Sequence, residues 1–292
     1  MKENSIIFGG SGFMGSHLAD ELSKAGHSVI VFDMQKSEWL KPEQKMVLGD
    51  LLDKEKLVQV LKENKINNVF HLAGIADIDE CDREPVKAIK YNVLGTAMLL
   101  DACVETKVSK FLFASSAYVE SDKGSFYRVS KQACEGLVEE YSKKFGLEYV
   151  ILRYGSLYGP RSDARNSLHR LVSQALQSGS IVYNGSGEER REFIHVLDAA
   201  KLSVKVISPE YANKKILITG SQTIQYKELL DMIGEMCGDK VKISYNPKLA
   251  TSHYRVSPYA YKPDIVHKLV SNYHIDFGQG LLSLIYELGH KD

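Results

Sequence analysis

What this 292-residue chain lacks already narrows its class. It carries no net charge, with 37 basic and 37 acidic side chains, so it offers no electrostatic footprint for nucleic acid. It has no apolar run near the roughly 20 residues that a membrane-spanning helix needs. Its four cysteines, Cys81, Cys103, Cys134 and Cys237, are scattered, with no CxxC pair or neighbouring histidine. That pattern argues against a metal site and against a disulfide framework. The apolar run in MKENSIIFGG is too short for the core of a secretory signal, so a reducing cytoplasm is the expected setting. Internal repeats, low-complexity segments and flexible linkers are also missing. At 44% hydrophobic and 25% charged residues, collagenous, coiled-coil and disordered classes are excluded.

What is present is an alternation. Apolar runs at Ser5–Phe8, Ser28–Asp33, Asn68–Ala73, Lys110–Ser115 and Glu148–Arg153 predict strands. Between them, amphipathic stretches near Phe13–Ala25, Lys54–Glu63, Pro85–Glu105 and Arg128–Phe145 predict helices. Nearly all-apolar strands separated by helices indicate a parallel sheet covered on both faces, the doubly wound α/β class. After about Gly159 the rhythm loosens. Ile181–Tyr183 and Lys215–Thr219 read as returns to the sheet, and helices are expected at Tyr226–Cys237 and Gly278–Leu288. The expected division is a Rossmann-type domain over residues 1–160 and a smaller substrate lobe over 161–292. Segments near 181–205 and 215–219 are expected to return to the first domain.

The first strand runs into Gly9-Gly10-Ser11-Gly12-Phe13-Met14-Gly15, which opens a helix. Glycines at 9, 12 and 15 let backbone N–H groups approach a pyrophosphate, whose charge the helix N-terminus favours. Glycine spacing alone is weak, but here a strand precedes, a helix follows and Asp33 closes the second strand. Asp33 can accept from both adenosine ribose hydroxyls and would repel a 2′-phosphate, so NAD is preferred over NADP. Asp50 is within reach of an adenine amino group and also reads as the cap of the Lys54 helix. His71 reads as a core or strand-end histidine. The backbone at Leu72, Ala73 and Gly74 is expected to pass close to the cofactor.

Tyr127 and Lys131 stand four apart at the start of a helix and share a face. A phenol is a poor base at neutral pH, but an adjacent ammonium favours the phenolate. Ser116 ends the fourth strand and can share a substrate hydroxyl proton with Tyr127. Together they describe alcohol oxidation, with Tyr127 taking the proton while carbon yields hydride to a nicotinamide. A second Y-x-x-x-K stands at Tyr211 to Lys215, so the pattern alone decides nothing. Position beyond the fourth strand of a nucleotide-binding sheet selects Tyr127.

With these motifs in order, the chain resembles the NAD-dependent nucleotide-sugar epimerase/dehydratase family of extended short-chain dehydrogenases/reductases. The resemblance also covers Gly49-Asp50, His71-Leu72-Ala73-Gly74, Tyr91-Asn92-Val93-Leu94-Gly95-Thr96 and Phe113-Ala114-Ser115-Ser116. It continues through Leu152-Arg153-Tyr154, Tyr158-Gly159-Pro160-Arg161 and Arg191-Glu192-Phe193-Ile194-His195-Val196. It implies cofactor contacts from Gly9, Gly12, Phe13, Met14, Gly15, Asp33, Asp50, Leu51, Leu72, Ala73, Gly74, Asn92, Tyr127, Lys131 and Tyr154. It implies catalysis by Ser116, Tyr127 and Lys131, and substrate contacts from Ser116, Tyr118, Tyr127, Ser156 and Arg191. It also implies a homodimer, formed by pairing the helices at 85–105 and 128–145 across a two-fold.

Within the family, dehydratases place Asp-Glu after the catalytic Ser or Thr, decarboxylases carry a nearby Glu, and reductase-epimerases use a Cys. Here Ala117 and Tyr118 follow Ser116, as in 4-epimerases. The segment between Ser116 and Tyr127, residues 117–126, is shorter than usual. Ser156 replaces a common Asn, Phe8 a common Thr, and Arg255-Val256-Ser257-Pro258 stands where an Arg-x-Gly-Asp element is often found. The expected activity is NAD-dependent epimerisation of a nucleotide sugar at C4. Beside it stand an NAD(H)-dependent reductase or dehydrogenase of a nucleotide-linked keto sugar and a non-catalytic nucleotide-binding protein.

Overall fold

The computed structural model describes residues 3–238, 241–247, 267–270 and 274–290. The Arg255–Pro258 segment lies outside them. Eight strands form one all-parallel sheet: β1 (Asn4–Phe8), β2 (Ser28–Asp33), β3 (Lys45–Leu48), β4 (Asn68–His71), β5 (Lys110–Ser116), β6 (Glu148–Tyr154), β10 (Lys214–Ile218) and β13 (His267–Leu269). Their order is β13-β10-β6-β5-β4-β1-β2-β3. The chain therefore reverses direction across the sheet between β1 and β4, and at such a switch point α/β proteins hold their ligands, outside the carboxyl ends of the strands.

Each face of the sheet has its own core. On one side Phe8, Ile30 and Phe111 pack against α2 (Lys54–Glu63), α5 (Gly95–Glu105) and α6 (Ser125–Phe145). On the other, Ile7, Val31 and Leu152 meet α1 (Phe13–Lys24) and α8 (Val196–Lys205). This double cover explains why the strands read as continuous apolar runs: every residue from Ile6 to Phe8 is buried. Each fully buried Leu, Ile or Phe contributes about 1.5–3 kcal/mol of transfer free energy.

A third core forms the smaller lobe. Leu168, Leu171 and Val172 of α7 (Ser167–Ser178) pack with Leu229 and Ile233 of α9 (Tyr226–Cys237) and with Leu281 and Leu284 of α10 (Phe277–Gly289). Two small sheets join it: β11 (Thr223–Gln225), β9 (Arg190–His195) and β7 (Ser156–Tyr158) in one, β12 (Lys242–Tyr245) and β8 (Ser180–Tyr183) in the other. The second corrects an expectation: Ile181–Tyr183 does not return to the large sheet. The place beside β6 belongs to β10, in register from Lys214 with Val150 to Ile218 with Tyr154, and Ile181 buries into the lobe core.

Two short helices, α3 (Ile78–Arg83) and α4 (Pro85–Ala88), precede a π-helical turn over Ile89–Leu94. The expected helix at 85–105 is thus interrupted. The Lys54 helix also differs in its start. Asp53, not Asp50, caps α2, its carboxylate accepting the Lys56 N–H at 3.0 Å. Asp50 instead accepts the Leu52 N–H at 3.0 Å inside the preceding turn. Asp53→Ala is expected to cost about 1 kcal/mol in urea denaturation, the usual loss of a side-chain cap.

His71 closes β4 inside the core, between the rings of Phe111 and Phe113, with Nε2 2.8 Å from Thr96 Oγ1. Its Nδ1 has no partner among the described residues. Burial, aided by the Lys131 charge, pulls its pKa down to about 3. Between pH 6.5 and about 3 the unfolded chain therefore binds a proton that the folded one refuses. Stability is unaffected above that window and falls as pH drops through it. Urea midpoints measured from pH 7.5 to 4 should decline with this contribution, at most about 1.4 kcal/mol per pH unit, and decline less steeply in His71→Gln.

Candidate active site

At the switch point the chain leaves β1 as bare backbone. Gly9 has φ +81°, and its N–H donates to Phe32 O at 2.9 Å. A Cβ on Gly9 would lie 2.6 Å from Ala73 N, and one on Gly15 would lie 2.2 Å from Gly9 O. The loop, the start of α1 and the Leu72–Gly74 backbone are thus packed main chain against main chain. Among the described residues no side chain caps the first turn of α1, and no acid lies in it, so the positive end of the helix is open to an anion. Asp33 ends β2 with its carboxylate held by the Ser11 N–H at 3.1 Å and the Gln35 N–H at 3.2 Å. A cradle that any Cβ would fill, an open helix N-terminus and a fixed carboxylate fit the pyrophosphate and adenosine ribose of NAD.

The proton-handling groups meet the same space from the other side. Ser116 is the last residue of β5, and its Oγ accepts the Tyr118 N–H at 3.2 Å. Helix α6 starts at Ser125, three residues earlier than the periodicity predicts, which puts Tyr127 in its first turn. Lys131 follows one turn on. Its Nζ donates to Ala114 O at 2.7 Å and lies 4.9 Å from the Phe113 ring centroid and 5.9 Å from that of Tyr127. Burial lowers the Lys131 pKa, the cost of keeping an ammonium away from water. Tyr118 meets Tyr127 edge to face, ring centroids 6.3 Å apart.

One cavity of about 1290 Å³ connects these groups. Of the residues expected at the site, Gly9, Gly12, Phe13, Met14, Gly15, Asp33, Leu51, Leu72, Ala73, Gly74, Ser116, Tyr118, Tyr127, Lys131, Tyr154, Ser156 and Arg191 all line it. Asp50 and Asn92 do not. Asp50 is turned into its own tight turn. Asn92 is buried behind the loop, with its amide accepting the Ile75 N–H at 2.7 Å and donating to Ile75 O and Ser130 Oγ, each at 3.0 Å. The π turn delivers Asn92 there, so its place is to hold the Gly74–Ile75 loop against α6. Tyr154 lines the cavity, while its hydroxyl bonds Ser203 Oγ at 2.6 Å.

The far end is built by the lobe. Arg191, which reads equally well as a surface charge, is 4% exposed. Its guanidinium lies 5.7 Å over the Tyr226 ring and donates to Arg190 O at 2.8 Å. Around it stand residues that sequence reasoning missed. Asn166 caps α7 by accepting the His169 N–H at 3.2 Å, and Arg170 and Gln174 of that helix also face the cavity. The signal for α7 was present: Leu168, Leu171, Val172 and Ala175 follow helical spacing between Asn166 and Gly179, a cap and a stop.

Comparisons place this geometry. Residues 5–218 match the NAD dependent epimerase/dehydratase family. A UDP-glucose 4-epimerase of Rhizobium meliloti is 28% identical over 280 residues, 83% of this chain and 84% of that one. A UDP-N-acetyl-alpha-D-glucosaminuronate decarboxylase of Bacillus cytotoxicus is 28% identical over 98% of this chain and 97% of its own. Among solved structures, a UDP-N-acetylglucosamine 4-epimerase from Methanobrevibacter ruminantium superposes with a TM-score of 0.82 at 26% identity, covering 98% of both chains. With its nucleotide loop, its Ser-Tyr-Lys set and a match over residues 5–218, the chain belongs to the NAD dependent epimerase/dehydratase family.

Proposed function

We propose that this chain is an NAD-dependent nucleotide-sugar epimerase that inverts C4 through a transient 4-keto sugar. One observation carries this reading. Ser116, Tyr127 and Lys131 face the same cavity as the glycine loop, while no carboxylate of residues 117–126 lines it. Glu120 is ion-paired with Arg153, and Asp122 is exposed. Elimination or decarboxylation needs an acid or base beyond the tyrosine, and this segment sends none into the cavity.

NAD, held by the Gly9–Gly15 loop and Asp33, would supply the hydride acceptor for oxidation of the sugar carbon and the hydride donor for its reduction on the opposite face. The remaining work falls to side chains. Ser116 accepts a backbone N–H through its oxygen and keeps its own proton to donate to the sugar oxygen. Tyr127 takes the hydroxyl proton as the carbonyl forms and returns it after the sugar has turned over. Lys131, anchored on Ala114 O, supplies the positive charge that favours the phenolate. Arg191 and the first turn of α7 hold the diphosphate, leaving the sugar free to swing within a wide cavity.

Incubation with a panel of nucleotide sugars, without added cofactor and followed by NMR, should reveal inversion at C4. Denatured protein should release close to one NAD per chain. Tyr127→Phe should lower turnover by about 10²–10⁴-fold with NAD retained, the range expected when a positioned acid–base group is lost. Failure of every sugar in the panel to invert would end this reading.

We propose further that two copies pair through α4, the π turn and α6, in a reducing compartment. The support is a set of exposed apolar side chains: Val86 of α4, 81% exposed, Ile89 and Leu94 of the π turn, and Phe126 and Val129 of α6. All four cysteines are free thiols. Sedimentation should give twice the chain mass, and Phe126→Glu with Val129→Glu should halve it.

A further inference from the structure

Behind the cavity lies a set of buried charges that the chemistry above leaves unused. Arg153 of β6 is 4% exposed. Its Nε and Nη2 donate to the two oxygens of Glu135 at 2.9 and 2.7 Å, and its Nη1 pairs with Glu120. Glu135 belongs to α6, one turn beyond Lys131, and also accepts the Ser115 hydroxyl at 2.5 Å. Ser115 and Arg153 are cross-strand partners in β5 and β6. Lys215 completes the set, 3.1 Å from Glu139 and 3.7 Å from Glu135.

Glu120 is the odd member. It ends the one-turn 3-10 helix Ala117–Glu120, which begins directly after Ser116 and carries Tyr118. The chain then has only residues 121–124, ending in left-handed Gly124, before α6 begins. Ala117 and Val119 of that turn are buried and Tyr118 lies against Tyr127, so the Glu120 tether acts beside packing. A second tether runs parallel to the first: Gln132 of α6 donates to Val119 O at 2.7 Å. Both tie the same turn to the same helix.

We infer that Glu120 is a positioning residue: through Arg153 and Glu135 it fixes the turn that follows Ser116 and carries Tyr118 to the helix bearing Tyr127 and Lys131. This inference rests on the epimerase reading above. Buried ion pairs add little net stability compared with apolar packing, but removing one partner leaves the other charge uncompensated and free to pull its neighbours elsewhere. The geometry at stake is the gap between the two hydroxyls that handle the proton, where a misplacement of about 1 Å can cost about 10²-fold in rate.

The test compares Glu120→Ala with Glu120→Gln, which keeps an oxygen for Arg153. In Glu120→Ala, kcat should fall about tenfold to a hundredfold, with KM for the nucleotide sugar and NAD per chain within about twofold of wild type. Glu120→Gln should recover most of that loss. Amide hydrogen exchange over residues 116–121 should rise about tenfold or more in Glu120→Ala, with α2 and α9 unchanged. Unaltered exchange across that turn would overturn the inference whatever the activity. So would a kcat loss matched by raised KM and lost NAD. If wild-type protein inverts no sugar, the epimerase reading falls alone, and the exchange measurement still decides the tether.

Discussion

Backbone packed against backbone at Gly9 and Gly15 is the constraint on which the rest of the site depends. The helix α1 can follow β1 through so tight a loop only because nothing larger than hydrogen stands between Gly15 and the Gly9 carbonyl. That contact aims the open N-terminus of α1 at the cavity. It also leaves room for the Leu72–Gly74 backbone to run alongside, which sets the floor between β1 and β4 where the sheet order reverses. One methyl group at either position would separate three elements at once. A phosphate-binding loop is thus less a set of contacts than a close approach that most side chains forbid.

Much of this was legible from residues alone, for an identifiable reason. Strands β1, β2, β4, β5 and β6 are covered on both faces, so their apolar runs leave little alternative. The glycine loop and the Tyr127–Lys131 pair follow from steric and charge requirements that few sequences satisfy in that order. What escaped was governed by tertiary partners. The KMVL of β3 lies at an exposed sheet edge and lacks alternation. Helix α3 is six residues long and mostly charged, formed because Asp77 caps it and Ile78 and Cys81 find a pocket beside Tyr127. Arg191 sits in a run of charges that suggests solvent, and its burial rests on tertiary and backbone partners such as the Tyr226 ring beneath it and the Arg190 carbonyl.

The two residues assigned to the cavity from resemblance but placed elsewhere, Asp50 and Asn92, share a cause. Each turns its side chain to groups behind the wall: Asp50 to the Leu52 N–H, Asn92 to the Ile75 backbone and the Ser130 hydroxyl. A polar side chain that satisfies main-chain groups shapes the wall from behind. Motif reading identifies such residues as belonging to a site but not which side of the wall they occupy.

The bond from Lys131 to the Ala114 carbonyl has a consequence for how this site tolerates change. The partner that fixes the ammonium is a peptide oxygen, supplied by whichever residue occupies position 114. Side-chain replacement there leaves the acceptor in place as long as β5 keeps its path, whereas a shift in strand register would remove it without altering a single functional side chain. Part of the catalytic apparatus is therefore written in the course of the main chain. It is protected from point substitution and exposed to insertion or deletion.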